Sequence, residues 1–227
     1  MEYTQRILDP RQPTLIVFNS LRNDKYEFRD MIAGTWRVNF LCFKDCNSNW
    51  FRAEEAELLE IVRGLAVDRT LFFCCGHSSG GATAIKIGSI INAVKVLAFA
   101  PQSSLALELN EGAGWESHLR RLNSTFDYVE FVRGHTQNTR YKIIYCPRRA
   151  LDLIHAVRYS ALPGVDIEAF EVANPEYEHR IPWELKRLGM TRRFFEKEFP
   201  ILEARAYRRP RTGEATPAQS PLSSMSP

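Results

Sequence analysis

One segment of the sequence has residue types and spacing suited to covalent chemistry. It runs Cys74-Cys75-Gly76-His77-Ser78-Ser79-Gly80-Gly81, after the apolar run 70–75 (TLFFCC) and before a helical stretch opening Ala82-Thr83-Ala84-Ile85. A serine hydroxyl is a weak nucleophile at its ordinary pKa, so chemistry at Ser78 needs a neighbouring base and access to a substrate. The pattern G-x-S-x-G between a strand and a helix supplies the access. Glycines two positions either side let the backbone pass close to its neighbours. The turn strains the residue at its apex, and the hydroxyl projects above the sheet edge. The helix that begins there offers backbone N–H groups, Ser79 first, and a positive dipole end to a developing negative charge. Such turns also cradle phosphates or simply pack. The lysine of G-x-x-x-x-G-K-[ST] and the glycines of G-x-G-x-x-G are both missing, which argues against phosphate.

The elements that must hold this turn are legible as apolar runs. There are six: 14–18 (TLIVF), 37–43 (RVNFLCF), 70–75 (TLFFCC), 94–100 (VKVLAFA), 141–146 (YKIIYC) and 165–172 (VDIEAFEV). Most lack alternation, as strands buried on both faces do. Helical periodicity fills 51–65, 79–92, 148–162 and 181–199. This order predicts an α/β fold in three layers, with a mainly parallel six-stranded sheet flanked by helices. The segment 102–140 is longer and less periodic. It reads as a lid-like insertion overhanging the carboxyl ends of the strands, where such sheets bind ligands. Residues 1–207 read as a single domain. The stretch 208–227 reads as a disordered tail, too poor in apolar residues to offset ordering entropy.

Composition narrows the class. Hydrophobic residues make up 44% and charged residues 25% of 227, enough for a real core. A net charge of +3, with no basic and aromatic interleaving, argues against a nucleic-acid partner. No apolar run spans a bilayer, and the N-terminus lacks a signal-peptide pattern. The five cysteines (Cys42, Cys46, Cys74, Cys75 and Cys146) show no metal-site spacing with histidine, so no metal and no cofactor is expected. Their odd number and mostly apolar settings point to a reducing, cytoplasmic location.

The turn, and the order of elements around it, resemble the α/β-hydrolase superfamily from about Thr14 to Phe199. That resemblance implies a nucleophile, acid and histidine in this chain order, with the acid after the penultimate core strand and the histidine after the last. Asp152 is the one acidic residue between the fifth and sixth apolar runs, and His179 follows the last run. Each has an ordinary alternative, Asp152 as a helix-start charge and His179 as a surface histidine. His155, one turn beyond Asp152, reads as partly exposed or as an orienter of the acid. The resemblance also implies an oxyanion hole from the Ser79 N–H and one N–H of Asn19, Ser20 or Leu21. His77 would line the pocket.

A weaker likeness is to a bacterial subgroup of short α/β-hydrolase-like proteins, some of which accompany surface-polysaccharide or glycan-modifying systems. In that subgroup D-x-x-x-x-W-[YF] and F-[AS]-P-Q stretches flank the active site. Asp45, Trp50 and Gln102 stand at the matching positions, although Ser79 stands where the subgroup often has Met. Trp50 as core and Asp45 as a helix cap is the alternative. The expected activity is that of a serine esterase or acyltransferase acting through an acyl-enzyme on a small or polar ester, including an acylated glycan. The competing expectation is a catalytically inactive partner protein of the same fold.

Overall fold

A computed structural model describes residues 1–21, 26, 28–65, 71–135 and 138–203. The expected tail, 208–227, lies outside the described residues. The first strands and helices are β1 (Glu2–Arg6), β2 (Thr14–Phe18), α1 (Arg29–Thr35), β3 (Asn39–Lys44), α2 (Glu55–Gly64), β4 (Phe72–His77) and α3 (Ser79–Ile90). They are followed by β5 (Lys95–Phe99), α4 (Glu116–Leu122), α5 (Tyr128–Arg133), β6 (Arg140–Tyr145) and α6 (Ala150–Ser160). The last are β7 (Val165–Ala169), α7 (Ile181–Arg187), α8 (Thr191–Glu198) and α9 (Pro200–Glu203).

The sheet has seven strands in the order β1-β3-β2-β4-β5-β6-β7, not the six expected. The added strand, β1, is antiparallel to β3 at the edge, while β2 to β7 run parallel. Its sequence, EYTQR, carries no apolar run because an edge strand is held by one neighbour's backbone and faces solvent. The expected helix over 181–199 is also two helices, α7 and α8. Gly189, at φ 66°, turns the chain between them.

Core packing follows the strand period of two. Ile16 and Phe18 of β2 point to one face, with Leu41, Phe43, Cys74, Leu58 and Ile85. Leu15 and Val17 point to the other, with Ile32, Trp36, Phe99, Leu185 and Phe195. The first face carries α2 and α3, the second α1, α7 and α8. All five residues of β2 are buried, which is why its run shows no alternation. Fully burying each such side chain stabilises by about 1.5–3 kcal/mol.

This order creates a switch point. The chain steps outward from β2 to β3 and then back across β2 to β4, so the carboxyl ends of β2 and β4 border a crevice. The close approach depends on glycine. A Cβ on Gly80 would overlap the carbonyl of Phe18, and one on Gly76 would overlap the carbonyl of Gly80. Both obstacles are backbone and cannot rotate away. Gly80→Ala should therefore destabilise the protein by about 3 kcal/mol or more, read as a lower urea midpoint. An unchanged midpoint would mean that α3 does not seat against β2 as described.

Candidate active site

The candidate residues lie at or beyond the carboxyl ends of parallel strands. Ser78 occupies the turn between β4 and α3 at φ 53° and ψ −122°, a conformation costly for a residue with a Cβ. Two backbone bonds hold it there. Its N–H donates to the Phe99 carbonyl at 2.8 Å, and its own carbonyl accepts from Ala82 N–H at 3.0 Å. Strain recurs after other strands, with Trp50 and Phe51 after β3 and Ala100 after β5 also at positive φ.

Asp152 comes from the first turn of α6, beyond β6, and His179 from the loop beyond β7. Ser78 Oγ lies 3.0 Å from His179 Nε2. His179 Nδ1 lies 2.9 and 3.2 Å from the two oxygens of Asp152. A carboxylate accepts, so Nδ1 carries the ring proton and Nε2 presents a lone pair to the serine hydroxyl. Asp152 is 2% exposed and His179 15% at the side chain. Burial lowers the pKa of His179, and the bond and charge of Asp152 only partly oppose this, so the imidazole is neutral near pH 7. A neutral imidazole aimed at a hydroxyl and backed by a carboxylate can take its proton and stay stable once charged.

The residues around this line fix it. His77 Nε2 donates to the His179 carbonyl at 2.5 Å, so the second residue of the G-x-S-x-G turn holds the loop that carries the histidine. Trp115, from the segment between β5 and β6, stacks on the His179 ring with centroids 5.6 Å apart. The Arg149 guanidinium covers the indole at 5.7 Å and approaches Asp152 at 3.5 Å. Trp183 meets His77 edge-on. Sequence reasoning assigned no role to Trp115, Arg149 or Trp183. The only local signal was the pair of glycines, Gly112 and Gly114, beside Trp115.

Asn19 N–H donates to the Phe43 carbonyl at 3.0 Å, and Leu21 N–H donates to Ser79 Oγ at 2.9 Å. Ser20 and Leu21 line a cavity of about 350 Å³ together with Ser78, Trp115, His179 and Trp183. Gln102 Nε2 donates to Ser78 Oγ at 3.0 Å. His155 is neither partly exposed nor bonded to the acid. It is 2% exposed, and its Nδ1 accepts from Ser103 N–H at 3.2 Å. Among the described residues no group of three histidine, cysteine or carboxylate side chains is arranged to hold a metal ion. All five cysteines are free, and only Cys46 is exposed. No described helix is long and apolar enough to cross a membrane.

No protein-family model matches the sequence, and no curated protein matches it. Solved structures do match its fold. Esterase B from Lactobacillus rhamnosis is similar at a TM-score of 0.62 and 11% identity, covering 88% of this chain and 80% of that one. The capsule O-acetyltransferase of Neisseria meningitidis serogroup A is similar at 0.59 and 13% identity, covering 82% and 88%. A lipase-esterase related protein from Clostridium acetobutylicum is similar at 0.56 and 12% identity, covering 85% and 97%. At such identities the likeness establishes the fold, which is of the α/β-hydrolase type.

Burial pushes the pKa of His155 down to about 4 from an ordinary 6.5. Between those values the unfolded chain binds a proton that the folded chain refuses, so stability falls as the pH drops from about 6.5 to 4. Over the full window His155 alone accounts for about 3 kcal/mol. Urea denaturation should show this loss, and His155→Gln should flatten part of the slope. An identical slope in the variant would place the titrating group elsewhere.

Proposed function

We propose that this protein is a serine esterase or acyltransferase that works through an acyl-enzyme, with Ser78, His179 and Asp152 as its catalytic triad. The observation that carries the proposal is the continuous line from Ser78 Oγ through His179 to Asp152, at the apex of a strained strand-to-helix turn. Ser78 attacks an ester carbonyl while His179 takes its proton. The Ser79 N–H, at the start of α3, faces the developing oxyanion, and Ser20 and Leu21, after β2, line the same cavity. His179 then protonates the departing alcohol. Water or a second alcohol loses its proton to His179 and attacks the acyl-enzyme, releasing Ser78.

The site supports a small or polar ester. Its cavity of about 350 Å³ is walled by Trp115 and Trp183, with His118 and Arg180 adding polar edges. Flat indole faces beside polar groups suit a sugar ring that carries an acyl group. The capsule O-acetyltransferase among the structural neighbours is in keeping with this substrate class. A second cavity, of about 810 Å³, shares Trp115, His179 and Arg180 with the first. Two cavities that meet at His179 support separate approaches for acyl donor and acceptor, as transfer requires. The free cysteines favour a reducing compartment, and we place the protein in the cytoplasm on that ground.

Labelling by a fluorophosphonate probe tests the nucleophile. The wild type should label and Ser78→Ala should not; an unreactive wild type would instead indicate an inactive scaffold. Ser78→Ala and His179→Ala should each lower kcat by about 10⁴-fold or more, because the triad acts as a unit. Asp152→Asn should cost less than either. The acidic limb of kcat/KM should lie below pH 6.5, since burial lowers the pKa of His179. A limb above that value would argue that the base is not this histidine.

A further inference from the structure

One buried chain of hydrogen bonds reaches Ser78 independently of His179. It begins at Asp45, just after β3. The Asp45 carboxylate accepts from the N–H groups of Asn47 at 3.1 Å, Asn49 at 2.8 Å, Trp50 at 2.7 Å and Phe51 at 3.4 Å. These bonds hold Trp50 and Phe51 at φ 59° and 56°, where bulky side chains rarely sit. The Trp50 indole is thereby fixed in the core, and its Nε1–H donates to Gln102 Oε1 at 3.3 Å. Gln102 is 1% exposed. Its backbone carbonyl is pinned by the Tyr159 hydroxyl at 2.8 Å, and its Nε2 donates to Ser78 Oγ at 3.0 Å.

The direction of this chain is chemically determined. An indole N–H can only donate, so it must face the amide oxygen, and the amide NH₂ must then face the serine. The flipped amide would set two donors against each other at Trp50. It would also offer Ser78 an acceptor that draws the hydroxyl proton away from His179.

We propose that Gln102 is a catalytic donor to Ser78 Oγ and that Trp50 is the positioning residue that keeps its amide turned the right way. This rests on the reading of Ser78 as nucleophile. In acylation the Ser78 O–H bond breaks, its proton goes to His179 Nε2, and its electron pair forms the bond to the acyl carbon. In deacylation the Oγ–C bond breaks, its pair returns to Oγ, and Oγ recovers a proton from His179. Oγ carries partial negative charge at both moments, when an N–H bond to it is strongest. In the acyl-enzyme between them Oγ is an ester oxygen and a weak acceptor. The donor therefore favours the transition states over the intermediate and acts on kcat rather than KM.

The test compares the full-length wild type with Gln102→Met, Gln102→Glu, Trp50→Phe and the Trp50→Phe/Gln102→Met double variant. The readouts are the rate of fluorophosphonate inactivation, kcat and KM for p-nitrophenyl acetate, and the melting temperature. Gln102→Met should lose about ten- to hundredfold in inactivation rate and in kcat, with KM within about twofold. Gln102→Glu should lose more, because a carboxylate accepts the serine proton and opposes charge on Oγ. Trp50→Phe should lose several-fold alone and nothing further once Gln102 is Met. Wild-type rates in a folded Gln102→Met variant overturn the proposal. So does a Trp50→Phe loss that persists undiminished in the Met background, because Trp50 would then act only through packing. If Trp50→Phe does not fold, the two Gln102 variants decide. A wild type that labels while the variants match it refutes this proposal alone. A wild type that does not label refutes the nucleophile reading with it.

Discussion

The contact between the Gly76–Gly80 turn and the end of β2 is the constraint on which the rest depends. Ser78 reaches its conformation because the chain passes over the Phe18 carbonyl with no side chain between. The strain at Ser78, of order 1–3 kcal/mol, is tolerable because the fully buried strand β2 on one side and α3 on the other over-determine the backbone. Ser79 adds a cross-tie, its hydroxyl holding the Leu21 amide after β2. Release of that contact would displace both the hydroxyl and the N–H groups around it.

Strain is not confined to the serine. Trp50, Phe51, Ser78 and Ala100 hold positive φ beyond the carboxyl ends of three parallel strands, β3, β4 and β5. Their common feature is the edge of the sheet where the ladder stops and loops must turn sharply to bring side chains together. The Asp45 carboxylate compensates at one of these turns and backbone bonds compensate at the others. Local backbone costs are thus met by buried hydrogen bonds, which in the proposed mechanism hold donors and base in place without reorganisation.

Electrostatics around His179 run in two directions. Burial favours the neutral ring and Asp152 favours the charged one, the balance that the proposed role of His179 as base calls for. Trp115 excludes water from one face of the imidazole, and Arg149 both covers that indole and approaches the carboxylate. His77 secures the backbone of the loop. The segment between β5 and β6 therefore contributes a wall directly against the histidine.

The sequence by itself determined the parallel α/β order, the strand-to-helix turn at Ser78, and Asp152 and His179 as the residues to inspect. Those features rest on short-range signals: apolar runs five to eight residues long, glycines two positions from a serine, and one acid or histidine after a given strand. It under-read β1, whose polar residues carry no core-facing pattern, and the break at Gly189, where a glycine inside a periodic stretch is locally ambiguous. Only the tertiary structure decided which atoms face each other. Trp115 lies 64 residues from the ring it stacks on, and Trp50 lies 52 from the amide it orients. His77 lies 102 from the carbonyl it holds. Pattern and propensity act over a few residues along the chain, whereas a hydrogen-bond direction is set by where separate strands end in space, and the chain's local chemistry does not encode that distance.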